Sequence, residues 1–204
     1  MIPRITEYER PHIARFVIIF AVIVVSWAAV HDAYLIGVDA RHFTEFHPPL
    51  LPIQNHILLA IQYAATATLG PALAYGFLAY LACRFGPKKS VGIKYAALGF
   101  VLLILSIEML LLAIGQHARS RFESGHGTFY PDFLYPELSP GIIFTQSVNI
   151  SAYLFAPLLG AIYLLVIYKI RKAMPPIQAL DSKPIFVTDR ADARSAPSTG
   201  AAQL

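Results

Sequence analysis

The stretch Lys94 to Gln116, K-Y-A-A-L-G-F-V-L-L-I-L-S-I-E-M-L-L-L-A-I-G-Q, is an apolar run with a single carboxylate, Glu108, well inside it. A helix needs roughly 20 mostly apolar residues to cross a bilayer, so this run is long enough to span one. A charged carboxylate left in hydrocarbon costs at least about 2.5–3.5 kcal/mol. Such residues therefore face a helix bundle or a wet cavity, where they pair or titrate. Glu108 is the first functional candidate. The competing reading is a structural carboxylate hydrogen-bonded to a neighbouring helix.

Composition supports a membrane protein. The chain is 56% hydrophobic and 14% charged, with a mean hydropathy of +0.57, whereas soluble domains carry about 25% charged residues. Its 204 residues suit one domain. The single cysteine, Cys83, excludes an internal disulfide and a multi-thiolate metal site. A net charge of +4 is compatible with nucleic acid. The basic residues nevertheless flank apolar spans, as positive-inside topology requires, so no nucleic-acid partner is expected.

Working outward, Met1 to Arg15 is a polar, basic lead to an apolar run from Phe16 to about Gly37. No small-residue cleavage site follows a short apolar core, so this run reads as a retained helix. Trp27, His31, Asp32 and Tyr34 gather toward its far end, where amphipathic rings favour the interface. Pro48, Pro49 and Pro52 mark a loop, and a second span from about His56 to Cys83 contains Gly70-Pro71, where a kink is expected to open space between helices. Gly86-Pro87 marks a turn in a short basic connection. Beyond the Glu108 helix, the aromatic loop His117 to Pro140 is expected to pack over the bundle. A fourth span from about Gly141 to Tyr168 contains Pro157, and the Pro/Ser/Ala-rich end reads as disordered.

The expected fold is all-α: a four-helix transmembrane bundle within residues 1–172, with helices at about 14–37, 56–83, 94–117 and 141–169, and a cytosolic tail at 173–204. Arg4, Arg10, Arg15, Arg84, Lys88, Lys89, Lys94, Lys169, Arg171 and Lys172 fall on one side, against Arg41, Arg119 and Arg121 on the other. That asymmetry predicts both termini cytosolic.

All histidines except His12 then fall at or beyond the opposite ends of the spans. His31, His42, His47, His56, His117 and His126, with Asp32, Asp39, Glu45, Glu123, Asp132 and Glu137, form either an interfacial polar cap or ligands for Zn, Cu or Fe. No H-E-x-x-H or paired-histidine helical spacing appears, so no metal is expected. Within the spans lie Ser26, Gln62, Thr66, Thr68, Ser106, Gln146, Asn149 and Ser151. These groups serve either as interhelical glue or, through Asp32, Gln62, Glu108 and Asn149, as the polar points of an apolar ligand cavity.

The features Gly70-Pro71, Glu108 ahead of Gly115-Gln116-His117, and V-N-I-S-A-Y-L-F-A-P from Val148 to Pro157 resemble the EXPERA families, the emopamil-binding type of sterol isomerase and the sigma-2 receptor type. The resemblance would cover about Phe16 to Lys172. It implies a four-helix bundle with cytosolic ends, and in the isomerase branch an acid that protonates a sterol alkene. The isomerase elements H-x-x-x-E, E-x-x-T and N-x-x-W are not reproduced. Asp32 has no histidine four residues earlier, Gln62 is followed by Ala65 and a displaced Thr66, and Asn149 by Ala152 beside Tyr153. Gln62 cannot ionise.

The expected function is proton-transfer chemistry, isomerisation or cyclisation, on a sterol-like or isoprenoid molecule. Asp32, Glu108 and His31 are the expected catalytic groups, with Gln62, Thr66, Asn149, Tyr153 and Trp27 contacting substrate. No cofactor is expected. The expected partners are a lipophilic small molecule and membrane lipids, with a homodimer left open. The host membrane is the endoplasmic reticulum in a eukaryote or the inner membrane in a bacterium. Two alternatives stand beside this reading: a non-catalytic lipid-binding or trafficking protein, and a metal-bearing subunit of a membrane complex using His31, His42, His47, His56 and His117.

Overall fold

The computed structural model describes residues 7, 9–47, 50–86 and 88–175. Arg4 of the basic lead, the loop prolines Pro48 and Pro49, the turn residue Pro87 and the expected disordered tail from residue 176 onward lie outside the described residues. The described chain forms α1 (Arg10–Val38), a one-turn α2 (Arg41–Thr44), α3 (His56–Arg84), α4 (Ile93–Glu123) and α5 (Pro140–Ala173), with a 3-10 turn at Asp132–Leu134. α1, α3, α4 and α5 are each long and apolar enough to cross a bilayer, which makes this a multi-pass integral membrane protein.

Helix is the form these runs take because hydrocarbon offers no partner for an open backbone amide. Asn55 caps α3, its Oδ1 accepting from the amides of Ile57 at 3.0 Å and Leu58 at 3.1 Å. The helices overrun the apolar stretches: α4 reaches Glu123 rather than about 117, and α5 reaches Ala173 rather than about 169. Hydropathy marks the part of a helix that oil can hold, whereas backbone bonding continues into the wet zone. There the Arg119–Glu123 pair, 2.8 Å apart one turn on, adds support.

The outer faces are apolar, with Ile18 and Val22 on α1, Leu98 and Leu102 on α4, and Leu158 and Leu165 on α5 all exposed. In water such a continuous surface would drive association; in a bilayer it is the solvated face. α1 lies along α3 and α4 along α5, with sparser contact between α3 and α5 and between α1 and α4. The ring order is therefore α1, α3, α5, α4, two tight pairs joined at two looser seams. Small residues set the tight pairs, as is usual in membranes. A Cβ on Gly76 of α3 would sit 2.7 Å from the Cα of Val17 on α1, and one on Gly115 of α4 would collide with Val148 and Phe144 of α5.

Each end is tied by a cation. At the end where α1 begins, Glu9 accepts from Tyr80 Oη at 3.0 Å and Arg84 Nη2 at 3.1 Å, and the neighbouring guanidinium holds its carboxyl below the usual range. There too the buried Arg171 donates to the carbonyls of Arg84, Phe85 and Gly86. Its positive charge satisfies the open C-terminal acceptors of α3. At the far end Arg41 bridges Asp39 at 2.8 Å and Glu137 at 2.9 Å. The aromatic loop packs onto α5, where Tyr130 Oη and Tyr135 Oη each meet a serine hydroxyl, Ser151 and Ser147, at 2.8 Å.

Gly76→Ala is expected to destabilise the protein by about 1–3 kcal/mol, because its methyl meets immobile backbone. Gly37→Ala, with nothing within 4 Å of its Cβ, serves as the control and should be neutral or stabilising. Equilibrium unfolding in mixed micelles measures both.

Candidate functional site

Between the two helix pairs lies a cavity of about 490 Å³, within the range of small-molecule sites. Its wall is mainly apolar, and Phe100, Ile104 and Ile107 of α4 form a deeply buried floor. Counting along the helices places Val24, Tyr75, Phe100 and Gly160 toward the basic end. His31, Asp32, His42, Tyr63 and Asn149 lie toward the other. From Asn149 to Gly160 the long axis is about 16 Å at the helical rise per residue.

Proline shapes this space. Pro71 of α3 and Pro157 of α5 both line the cavity. Each removes the donor that would bond the carbonyl four residues earlier and pushes its helix away from the preceding turn. The helices continue through both positions because the rest of the ladder remains.

The polar end is built around Glu108. Its Oε2 accepts from Trp27 Nε1 at 2.8 Å, and His31 Nδ1 lies 2.9 Å from Oε2 and 3.1 Å from Oε1. Because an ionised carboxylate only accepts, Nδ1 carries the proton that faces it, and in the neutral ring Nε2 then holds the lone pair. That nitrogen is buried without a hydrogen-bond partner. Glu108 does not itself line the cavity, whereas Trp27 and His31 do. The carboxylate thus meets the cavity only through the two rings it holds.

Asp32, next along α1, lines the cavity, and no hydrogen bond engages its carboxyl group among the described residues. Asn149 donates from Nδ2 to His42 Nε2 at 2.7 Å, which leaves His42 Nδ1 buried and unpartnered. α2 carries His42 and Phe43 over the end of the cavity and is held there by Tyr63, whose Oη donates to the Phe43 carbonyl at 2.7 Å. His47 Nδ1 lies 3.1 Å from the His42 carbonyl and lines the same end, where it is exposed.

Of the residues singled out from sequence, Trp27, His31, Asp32, Asn149 and Tyr153 meet at the cavity, with Glu108 directly behind two of them. Gln62 and Thr66 stand apart from it. Gln62 Oε1 accepts from the Leu51 amide at 3.0 Å, and Thr66 returns its hydroxyl to the Gln62 carbonyl at 2.9 Å. They share a helix face, as their spacing predicts, but that face is not the cavity's. His42, Phe43, Tyr63 and Tyr75 are lining residues that the sequence did not mark as substrate contacts. Only His42 carried a signal, as a member of the histidine cap. Among the described residues no three His, Cys, Asp or Glu side chains gather as ligands for a metal ion.

No protein-family model matches the chain, and neither a curated protein nor a solved structure matches it.

The His42 ring gives the site a pH signature. Burial, reinforced by the neighbouring His47, pushes its pKa down from 6.5 to about 4. The unfolded chain therefore takes up a proton between these values that the folded one refuses. Stability should be full above pH 6.5 and fall as the pH drops toward 4, by at most about 3 kcal/mol from this group. Unfolding midpoints across that range should slope in the wild type and flatten in His42→Gln.

Proposed function

We propose that this membrane protein holds a lipophilic molecule of the sterol-like or isoprenoid class inside its bundle and moves a proton on it. The observation that carries this reading is a mostly apolar cavity with a carboxylate-oriented histidine and a second, unengaged carboxyl group at one end. A carboxylate on Nδ1 that frees Nε2 is the arrangement that makes an imidazole a directed base. Asp32, in its acid form, donates a proton to an alkene carbon of the ligand. His31 Nε2 then takes a proton from an adjacent carbon, so the double bond shifts with no net change in atoms. Return of the proton from His31 to Asp32 resets the pair. Glu108 is here a positioning residue, and the EXPERA resemblance points to the same ligand class.

We place both termini in the cytosol, because Arg10, Arg15, Arg84, Lys88, Lys89, Lys94 and Lys169 cluster at the end where α1 starts and α5 finishes. Asp32 and the histidines then sit toward the opposite leaflet.

A second reading, a non-catalytic lipid carrier, is favoured by the absence of any carboxylate of α3 from the cavity wall. Incubating the protein with a lipid extract and analysing both the bound and the released species separates the two. Turnover is expected, and Asp32→Asn should lower it by about 10²-fold or more with the unfolding midpoint unchanged, since no hydrogen bond is lost. Glu108→Gln should lower turnover and midpoint together, because Trp27 and His31 lose their anchor. Unchanged turnover in Asp32→Asn overturns the catalytic role, and a lipid carried through unaltered by the wild type establishes the carrier.

A further inference from the structure

The four-helix ring has two loose seams, and they are finished differently. Between α1 and α4, Glu108 ties Trp27 and His31 across the gap at the polar end of the cavity. Between α3 and α5 the cross-link is Tyr75 Oη donating to the Gly160 carbonyl at 3.0 Å, at the basic end of the cavity. Farther along this second seam, Ala67 and Pro71 of α3 face Tyr153 and Pro157 of α5 across the cavity. All four line the cavity and all four are exposed, Tyr153 by 73%. Lining residues that are also exposed along a seam between two spans mark a lateral opening.

At the opposite end α2 lies across the cavity, Tyr63 holds α2 by its backbone, and Arg41, adjacent to His42, is pinned by Asp39, Glu137 and Ser139. His47, which also lines the cavity there, is exposed beyond the ends of the spans. The two prolines also leave acceptors at the α3–α5 seam. Pro71 deprives the Ala67 carbonyl of its usual donor, and Pro157 does the same to Tyr153. A polar head that donates hydrogen bonds is thereby offered partners at the threshold, before it reaches Asp32, His31 and Asn149 within.

We infer that the ligand of this cavity enters sideways from the bilayer, through the slit between Pro71 on α3 and Pro157 on α5, with its hydrogen-bond-donating end leading. This rests on the reading of the cavity as a lipophile site, and it adds the ligand's source and orientation. A lipid already dissolved in the membrane never has to cross water to reach Asp32. Its tail comes to rest against Tyr75 and Phe100, and its head against the polar end.

The test uses the full chain in phosphatidylcholine vesicles and a long-chain alcohol carrying a diazirine, photolysed seconds after addition, with adducts mapped by mass spectrometry. Adducts are expected on Asp32 and Trp27 inside the cavity, and on the lipid-facing Met109 as an internal standard. Ala67→Phe and Ala156→Phe, which add a ring at the slit from α3 and from α5, should each cut interior adducts by about tenfold relative to Met109, equivalent to about 1.4 kcal/mol on the barrier to passage. Thr66→Phe, one residue away on a face that does not line the cavity, should leave them unchanged. Interior labelling that survives both slit variants at full rate overturns the lateral route while leaving the cavity reading intact. No interior adducts in the wild type overturn the cavity reading and the route together.

Discussion

A carboxylate in hydrocarbon must find donors, and in this protein Glu108 finds them on another helix. Trp27 and His31 of α1 supply the N–H groups, so one half-buried charge joins the two tight helix pairs. The pairs themselves are held by close backbone approach at Gly76 and Gly115, which needs only small residues and dispersion. The seam between α1 and α4 has sparse packing, and hydrogen bonds to a charge provide what packing does not. Glu108 is thus a structural strut between the pairs, and in the proposed reaction it would also orient the ring of His31.

The cavity follows from the same division. Helices that pack tightly along their length leave no room for a ligand, and here the space lies where α3 and α5 each carry a proline. The wall left behind is aliphatic and aromatic, and its few polar groups converge at one end because α1, α2 and α5 all bring theirs there. His42 reaches that end on a one-turn helix that is not itself a span, and Tyr63 of α3 holds it in place.

Much of this architecture is legible in the sequence. Four apolar runs of bilayer length, bounded by basic residues and broken by Pro48, Pro49 and Pro52, define the spans without any tertiary information. Oil dictates helix for such runs whatever surrounds them. The isolated acid at 108, the prolines at 71 and 157, and the cluster of Trp27, His31 and Asp32 were visible for the same reason, as departures from a background of leucine, alanine and valine. Helix ends were less legible, since hydropathy falls where the membrane stops and α4 does not.

What the sequence alone determined is which segments are helical and which polar groups must be accounted for, because the cost of desolvation is paid locally, residue by residue. The tertiary structure decided who answers whom. Glu108 could have met any of three neighbouring helices, and Gln62 and Asn149 carry equivalent amides. Yet Gln62 turns to the Leu51 amide while Asn149 turns inward to His42, 107 positions away in the chain. Rotation of a uniformly apolar helix about its axis has almost no local signature, as every face is acceptable to lipid. Only contact with the other helices fixes it, and with it the side of each polar residue that meets the cavity.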